Sequence, residues 1–175
     1  MGPLNVEEGQ LIIQPLTEET FAPYGRLLGK PRRAADIEKH WMSYWHCLAD
    51  LDFKVHPVWG FLEVRHREPL LTELERHCRA AEVFIPMGGL SIMPFALGGT
   101  SEESHAEPDP QSIRLFLLDG SQAFIVERGV WHTPAFAVGE SAGFLLALEE
   151  GTPHDDLDIR SVGPFSFDLM KFGDK

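Results

Sequence analysis

Four side chains that can bind a metal or transfer a proton lie in two short stretches of the sequence. The first stretch, LERHCRAAEVFIPMGG (74–89), contains Glu75, His77 and Glu82 just before an apolar run, and the second, ERGVWHTP (127–134), contains His132. Charged groups that enter a buried strand are costly unless they are paired or bound to a ligand. A mixed set of imidazole and carboxylate donors suits Ni, Mn, Fe or Zn better than Ca or Mg. The two stretches therefore predict a divalent metal site, and we expect no organic cofactor.

Extended backbone in the first stretch would give its donors a common direction. If residues 75–78 form a strand, Glu75 and His77 lie on the same face, because side chains alternate along a strand. A short turn through residues 79–81 would then return Glu82 beside His77, as in a hairpin. This geometry predicts one metal site built from Glu75, His77, Glu82 and His132.

A purely structural interpretation of the same residues is also open. Glu75 would pair with Arg76 or Arg79 on a solvated helix face, and His77 would be a surface residue. His132 would then be a hydrogen-bonded structural histidine rather than a ligand.

The elements that must position these side chains are mainly short strands. Apolar segments separated by Gly, Pro, Asp and Ser are typical of an all-β sandwich or barrel rather than of βαβ units. The predicted strands cover residues 58–66, 82–89, 90–99, 112–120, 122–129, 132–139 and 143–151. Pro86 and Pro94 cannot donate a ladder hydrogen bond, so they should lie at edges or bulges. Only residues 70–79 favour a helix.

The first third of the chain predicts an extension in front of the barrel. A short strand is followed by Thr17 as the N-cap of a single helical turn, with Thr20 where a full capping box would have Glu or Gln. Residues 29–40 and 98–111 predict loops, and residues 41–53 predict an extended segment with a turn near Asp50. We expect one domain over residues 1–175, made of an N-terminal arm with extra strands (1–57), a barrel core (58–150) and a C-terminal tail (151–175).

Composition narrows the classes of partner. The chain has 175 residues, 43% of them hydrophobic, and a formal net charge of −12. This charge argues against binding to nucleic acid or to an anionic membrane surface. No apolar run approaches the roughly 18–20 residues of a membrane span, and the first residues do not resemble a signal peptide. Cys47 and Cys78 predict free thiols, so we expect a cytoplasmic protein.

The two stretches resemble the paired motifs of the cupin family, HxHx(3–4)E at the entrance to a strand and PxGxxH further on. Glu75 stands in place of the first histidine and Glu127 in place of the proline. Within the cupins, the chain resembles the ureidoglycolate lyase family, formerly called ureidoglycolate hydrolases. The resemblance rests on PLTEETFAPYG, on LERH followed by VFIPMGG, and on RGVWHTPAF. It implies a cupin-type double-stranded β-helix barrel with an N-terminal strand and turn extension, a homodimer and a divalent metal.

The resemblance also implies a reaction and a set of roles. The expected activity is release of urea and glyoxylate from ureidoglycolate, a small anionic substrate of allantoin and purine catabolism. The catalytic candidates are Glu82, His77 and His132. The candidates for binding substrate are Arg65, where the resemblance places an arginine, Arg128 and Trp131, although Trp131 is better interpreted as a packing wall than as a chemical group.

The chain departs from the family pattern at several polar positions. Glu82 stands where the family has glutamine, and Ile125, Val126 and Glu127 stand where it has Asn-Tyr and a basic residue. Ala147, Leu148 and Glu149 replace a Val-Asp-Arg sequence. The lost Asn-Tyr and Asp-Arg features favour one alternative, a cupin enzyme acting on another small hydroxy-acid or ureido compound. A non-catalytic cupin that binds a small ligand is a further alternative, but the ligand-type residues retained in both motifs support an enzyme.

Overall fold

Short strands separated by glycine- and proline-containing turns make up most of the fold. The computed structural model describes residues 11–100, 102–103 and 105–169. The strands are β1 (Ile13–Pro15), β2 (Gly25–Leu28), β3 (Ile37–Lys39), β4 (Met42–Tyr44), β5 (Pro57–Arg65), β6 (Leu70–Arg76), β7 (Glu82–Gly88), β8 (Ser91–Ala96), β9 (Arg114–Leu118), β10 (Ala123–Val126), β11 (Trp131–His132), β12 (Phe136–Ala137), β13 (Ser141–Glu149) and β14 (Asp158–Ser166). The helices are α1 (Glu18–Phe21), α2 (Thr152–Asp155) and a 3-10 helix (Pro110–Ser112).

Two main sheets contain nearly all of these strands. The larger has seven strands in the order β1-β9-β8-β11-β6-β14, with β12 also paired to β8, and the smaller has five in the order β2-β10-β7-β13-β5. Strands β3 and β4 form a separate hairpin. All pairings are antiparallel except that of β1 with β9. This arrangement confirms the expected all-β, cupin-like class.

The main core lies between the inner faces of the two sheets. Its buried phenylalanines come from both, namely Phe84, Phe124 and Phe144 from the smaller sheet and Phe95 and Phe116 from the larger. Phe21 of α1 inserts among them, with its ring centroid 5.1 Å from that of Phe95 and 5.3 Å from that of Phe116. Full burial of each ring contributes about 1.5–3 kcal/mol relative to exposure. The core therefore fixes how the two sheets face each other.

Helix α1 begins where the sequence predicted it, at the Thr17 cap. Thr17 and Thr20 each accept a hydrogen bond from the other's backbone N–H, at 3.2 Å, so the Thr20 hydroxyl completes a capping box without a Glu or Gln. The cap starts the turn that carries Phe21 into the core. Both α-helices have four residues, and within the described ranges no helix is long and apolar enough to cross a membrane.

The helical prediction for residues 70–79 is wrong, because this segment contains strand β6. Leu71 and Leu74 are both buried, at a helix-like spacing of three residues. Strand β6 pairs with β14 along one edge and with β11 along the other. Pairing on both edges outweighs the helix propensity of Leu, Glu and Arg in this segment.

The spans predicted to be an arm and a tail also contribute strands to the main sheets. Strand β2 pairs with β10, and β14 pairs with β6, so residues 158–166 belong to a sheet rather than to a tail. Within the predicted loop 29–40, residues 37–39 form β3 of the hairpin. Residues 1–10 and 170–175 lie outside the described residues, and the single-domain organisation stays a prediction.

Of the two prolines predicted to lie at edges or bulges, Pro86 lies at a register shift, whereas the prediction is wrong for Pro94, which pairs in regular register with Leu115 of β9. Pro86 pairs with Phe144 where the register between β7 and β13 shifts. Pro94 lies in β8, an interior strand, at a position between the residues that pair with β11 and those that pair with β12. A residue without an N–H costs little where the ladder is interrupted.

Candidate metal centre and active site

Three strands bring the four predicted donors together. Glu75 is in β6, and His77 follows directly after it; Glu82 is the first residue of β7. His132 is in β11, where it lies opposite Glu75 in the antiparallel pair β6–β11. The extended backbone of β6 places Glu75 and His77 on one face, as the alternation of side chains requires. The interpretation as a solvated helix face is therefore wrong.

The donor atoms converge closely enough to bind one ion. The ligand atoms of Glu75, His77 and His132 all lie within 4.8 Å of one another. The carboxylate oxygen Oε2 of Glu82 lies 3.5 Å from Nε2 of His77 and 3.2 Å from Nε2 of His132. The sequence prediction named all four residues, and the structure gathers all four.

Backbone carbonyls orient both imidazoles. Nδ1 of His77 is 2.5 Å from the carbonyl oxygen of Asp156, and Nδ1 of His132 is 3.0 Å from that of Val130. A carbonyl only accepts hydrogen bonds, so each Nδ1 carries the proton and donates. In the neutral ring, Nε2 then presents its lone pair to the other donors, which is the tautomer in which a histidine binds a metal, whereas a protonated His132 also donates from Nε2 to Glu82.

Glu82 and His132 form a buried, electrostatically coupled pair. Burial by itself raises the pKa of Glu82, but the hydrogen bond and positive charge of His132, with the charge of His77, lower it below its usual range. Burial by itself lowers the pKa of His132, but the hydrogen bond and negative charge of Glu82 raise it. The carboxylate therefore keeps a positive partner close to it, and either a proton on His132 or a metal ion can fill that role.

The donors line a small cavity with apolar walls. Its volume is about 160 Å³, and its other lining residues are Leu62, Phe84, Met93, Pro134, Leu146, Leu148, Pro153 and Leu157. Apolar walls exclude water and strengthen the electrostatic interactions at the few polar groups. A mixed N/O donor set fits a first-row divalent metal such as Ni, Mn, Fe or Zn, with Glu75, His77 and His132 as ligands and Glu82 beside them.

Comparison with known proteins identifies the family. A family model described as ureidoglycolate lyase matches residues 8–166. The chain belongs to the ureidoglycolate lyase family. Similar curated proteins include ureidoglycolate lyases from Escherichia coli strain SMS-3-5, at 29% identity, and strain K12 / DH10B, at 28%. Each alignment covers 160 residues, which is 87% of this chain and 94% of the relative.

The structure does not place the predicted substrate-binding residues in this cavity. Arg65 lies on the outward face of β5, with 80% of its side chain exposed, and pairs with Glu63 at 2.5 Å. Arg128 is exposed in the turn between β10 and β11. Trp131 is fully buried in a second hydrophobic cluster. Its indole N–H donates to the Gly98 carbonyl at 3.0 Å.

The departures from the family pattern fall in different environments. Leu148, where the resemblance implies an aspartate, lines the candidate active site. Ile125 and Val126 are buried apolar residues, and Glu127 pairs with Arg26 at 2.6 Å near the surface. Glu149 is fully buried and binds Arg79 at 2.8 Å. Of the departures named from the sequence, Glu82 and Leu148 therefore line the cavity, and Leu148 places an apolar side chain in its wall.

Sequence reasoning missed two kinds of site residue. Leu146 lines the cavity beside Leu148, and the alternation along the segment 143–151 could have placed it on the same face. Asp156, whose carbonyl orients His77, is separated from it by 79 positions in sequence. No local pattern marks such a partner.

Proposed function

We propose that this chain is a ureidoglycolate lyase that releases urea and glyoxylate. The observation that carries the proposal is the convergence of Glu75, His77, Glu82 and His132 in one small cavity of a chain that belongs to this family. One carbon of ureidoglycolate bears a hydroxyl, a carboxylate and a urea nitrogen. Loss of the hydroxyl proton and cleavage of the C–N bond leave the aldehyde of glyoxylate, and the departing nitrogen takes up a proton to give urea.

Two roles are open to Glu82, as a metal ligand or as the general base. As the base, its carboxylate would accept the hydroxyl proton and return it to the departing nitrogen, so that no net proton is consumed. A well-placed general base contributes about 10²–10⁴-fold to the rate. In the metal-free site a protonated His132 donates to this carboxylate and lowers its pKa, and a metal ion on Nε2 of His132 would supply the positive charge in its place.

Glu75, His77 and His132 are the residues that would hold the metal. When bound there, a divalent ion would attract the carboxylate and hydroxyl oxygens of the substrate and lower the pKa of that hydroxyl. In the described part of the chain, no arginine or lysine lines the cavity. Recognition of the substrate carboxylate therefore rests on the metal rather than on Arg65 or Arg128.

The test is elemental analysis of the purified protein, followed by a urea-release assay on ureidoglycolate. We expect bound Ni, Mn, Fe or Zn and urea released together with glyoxylate. The variant H77A is the matched control, and it should lose both the metal and the activity. A metal-loaded protein that releases no urea from ureidoglycolate would contradict the proposed reaction while leaving the metal site intact.

A second candidate function is supported by one residue in the cavity wall. Leu148 replaces a polar family residue and joins Leu62, Leu146 and Leu157 in an apolar wall. This wall favours a small hydroxy-acid or ureido compound with an apolar substituent over ureidoglycolate itself. A panel of substituted ureido acids, compared by kcat/KM, separates the two candidates. Binding of such compounds without turnover would instead favour a non-catalytic cupin.

We also propose that the chain acts in the cytoplasm, in allantoin and purine breakdown, as a homodimer. The support for a dimer is an apolar patch on the outward face of β5, where Trp59 is 67% exposed and Phe61 is 66% exposed. Strand β5 is at the edge of its sheet. Contiguous exposed aromatic residues typically mark protein–protein contacts.

A further inference from the structure

The connection between β13 and β14, residues 150–157, makes several contacts with the segment that carries His77. Asp156 contacts three successive residues there. Its carbonyl accepts from Nδ1 of His77 at 2.5 Å, and its carboxylate oxygens accept from the backbone N–H groups of Cys78 and Arg79, each at 2.9 Å. The carboxylate thus fixes residue 156 against the backbone that follows His77.

A second set of bonds holds the two ends of this connection in place. Arg79 donates from Nε to the buried carboxylate of Glu149 at 2.8 Å and from Nη2 to Asp155 at 2.9 Å. The hydroxyl of Thr152 donates to the carbonyl of Glu149 at 2.8 Å. The same Glu149 carboxylate accepts backbone N–H groups of Lys54 and Val55. The buried Glu149 carboxylate therefore anchors the start of the connection to Arg79 and to the backbone of residues 54–55, and the exposed Asp155 adds one further ion pair to Arg79.

The backbone of His77 is also held from the opposite side. Its carbonyl accepts from the N–H of Gly129 at 2.7 Å, in the turn that leads to His132. With its main chain fixed there, the remaining freedom of His77 is rotation of its ring. The Asp156 carbonyl restricts that rotation and sets the tautomer.

We infer that Asp156 is a positioning residue: its carboxylate places its own carbonyl so that Nε2 of His77 points at the metal site. This inference rests on the metal centre of the proposed function. Pro153 and Leu157, from the same connection, line the cavity. The connection therefore joins the cavity wall to the orientation of a ligand.

The first experiment is titration of metal-free protein with Zn²⁺ by calorimetry. Removing partners that orient ligands typically weakens metal binding by about 10–100-fold. We expect that loss for D156A and an intermediate loss for D156N, whose amide can accept only one of the two N–H groups. The matched controls are D155A and D155N, which remove an exposed ion pair to Arg79 and should change the affinity by no more than about fivefold.

The second experiment is an ¹⁵N NMR spectrum of the histidine rings in metal-free protein at mildly alkaline pH. The wild-type His77 should show a single tautomer protonated at Nδ1, and D156A should show a mixture. A change in stability alone does not alter the tautomer, so this signal separates positioning from a merely structural role. If D156A does not fold, the comparison of D156N with D155N carries the test.

The outcomes distinguish this inference from the proposed function. Unchanged Zn²⁺ affinity in the Asp156 variants, equal losses in the Asp155 controls, or an Nε2–H tautomer in the wild type would each overturn the positioning role. Wild-type protein that binds no Zn²⁺ or other divalent metal would contradict the metal centre. The tautomer spectrum would still decide whether Asp156 orients His77.

Discussion

Two cavities lie on opposite sides of the five-stranded sheet and differ in chemistry. The inner cavity, of about 160 Å³, contains Glu75, His77, Glu82 and His132. The outer cavity is larger, at about 430 Å³, and among the described residues no ionisable side chain lines it. It lies between the sheet and the segment that contains Leu48, Leu51 and Phe53.

Alternation along single strands produces this difference. In β7, Glu82 and Phe84 line the inner cavity, whereas Val83 and Ile85 line the outer one. In β13, Leu148 faces inward and Ala147 faces outward. Cavity size therefore does not mark the reactive face. The candidate active face is marked instead by ionisable side chains that converge and that are held in place by backbone carbonyls and by one another.

The comparison predicts that substitutions in the inner cavity change metal content and turnover, whereas substitutions in the outer cavity do not. The largest effect should come from removing a histidine of the inner cavity. In H77A and H132A a ligand is missing, so metal content and turnover should fall to background. Metal analysis and the urea-release assay measure both. I125A, in the outer cavity, is the control and should keep its metal. Full metal content in both histidine variants would mean that the inner cavity is not the metal site.

The variant E82Q distinguishes the two roles open to the Glu82 carboxylate in the inner cavity. If Glu82 is a ligand, metal content should fall, and the melting temperature with it, because the metal stabilises only the folded state. If Glu82 is the base, metal content should hold while kcat falls by about 10²–10⁴-fold. Elemental analysis and steady-state kinetics distinguish these results. Wild-type values for both would remove Glu82 from the mechanism.

The affinity for metal should depend on pH only through the ionisable side chains of the inner cavity. A metal binds neutral imidazole, and Glu82 raises the pKa of His132 above 6.5. Protons therefore compete for His132 at a higher pH than for an ordinary histidine, and Zn²⁺ affinity should decline as the pH falls, by about tenfold per unit once the ring is protonated. In E82Q the decline should begin at a lower pH. An unshifted profile would contradict the coupling between the two residues.

Shortening an outer-cavity side chain should affect stability without affecting chemistry. Ile125 is fully buried against Val83 and Ala147, and I125A should lower the free energy of unfolding by about 2–4 kcal/mol. Denaturant titration measures this loss. We expect kcat and metal content to stay at wild-type values. A parallel loss of metal would show that the two faces of the sheet are not independent.

The smallest effect on the site should come from the exposed patch on β5. The double variant W59S/F61S should convert a dimer to a monomer, because it removes the exposed aromatic surface from that edge strand. Light scattering at micromolar concentration measures the mass, and T72S, at an exposed position of β6, is the control. A monomeric wild-type protein would rule out the proposed assembly.

Much of the fold could be predicted because its signals are local. Alternation of side chains along β5 predicts one face with Leu62 and Val64 and the opposite face with Trp59, and the burial of these residues agrees. The Thr17 cap is a contact within one turn. Strand β6 was harder, because Leu71 and Leu74 have a helix-like spacing and only pairing with β11 and β14 makes the segment extended.

The sequence by itself identified the four candidate donors, since Glu75, His77, Glu82 and His132 lie in recognisable stretches with fixed spacing. Only the tertiary structure decided that Trp131 packs in a hydrophobic cluster away from the cavity and that Asp156 orients His77. The physical reason is the separation in sequence between the residues that interact. Side-chain alternation depends on neighbouring residues along the backbone, whereas a hydrogen bond between residues 79 positions apart depends on how the sheets pair and pack.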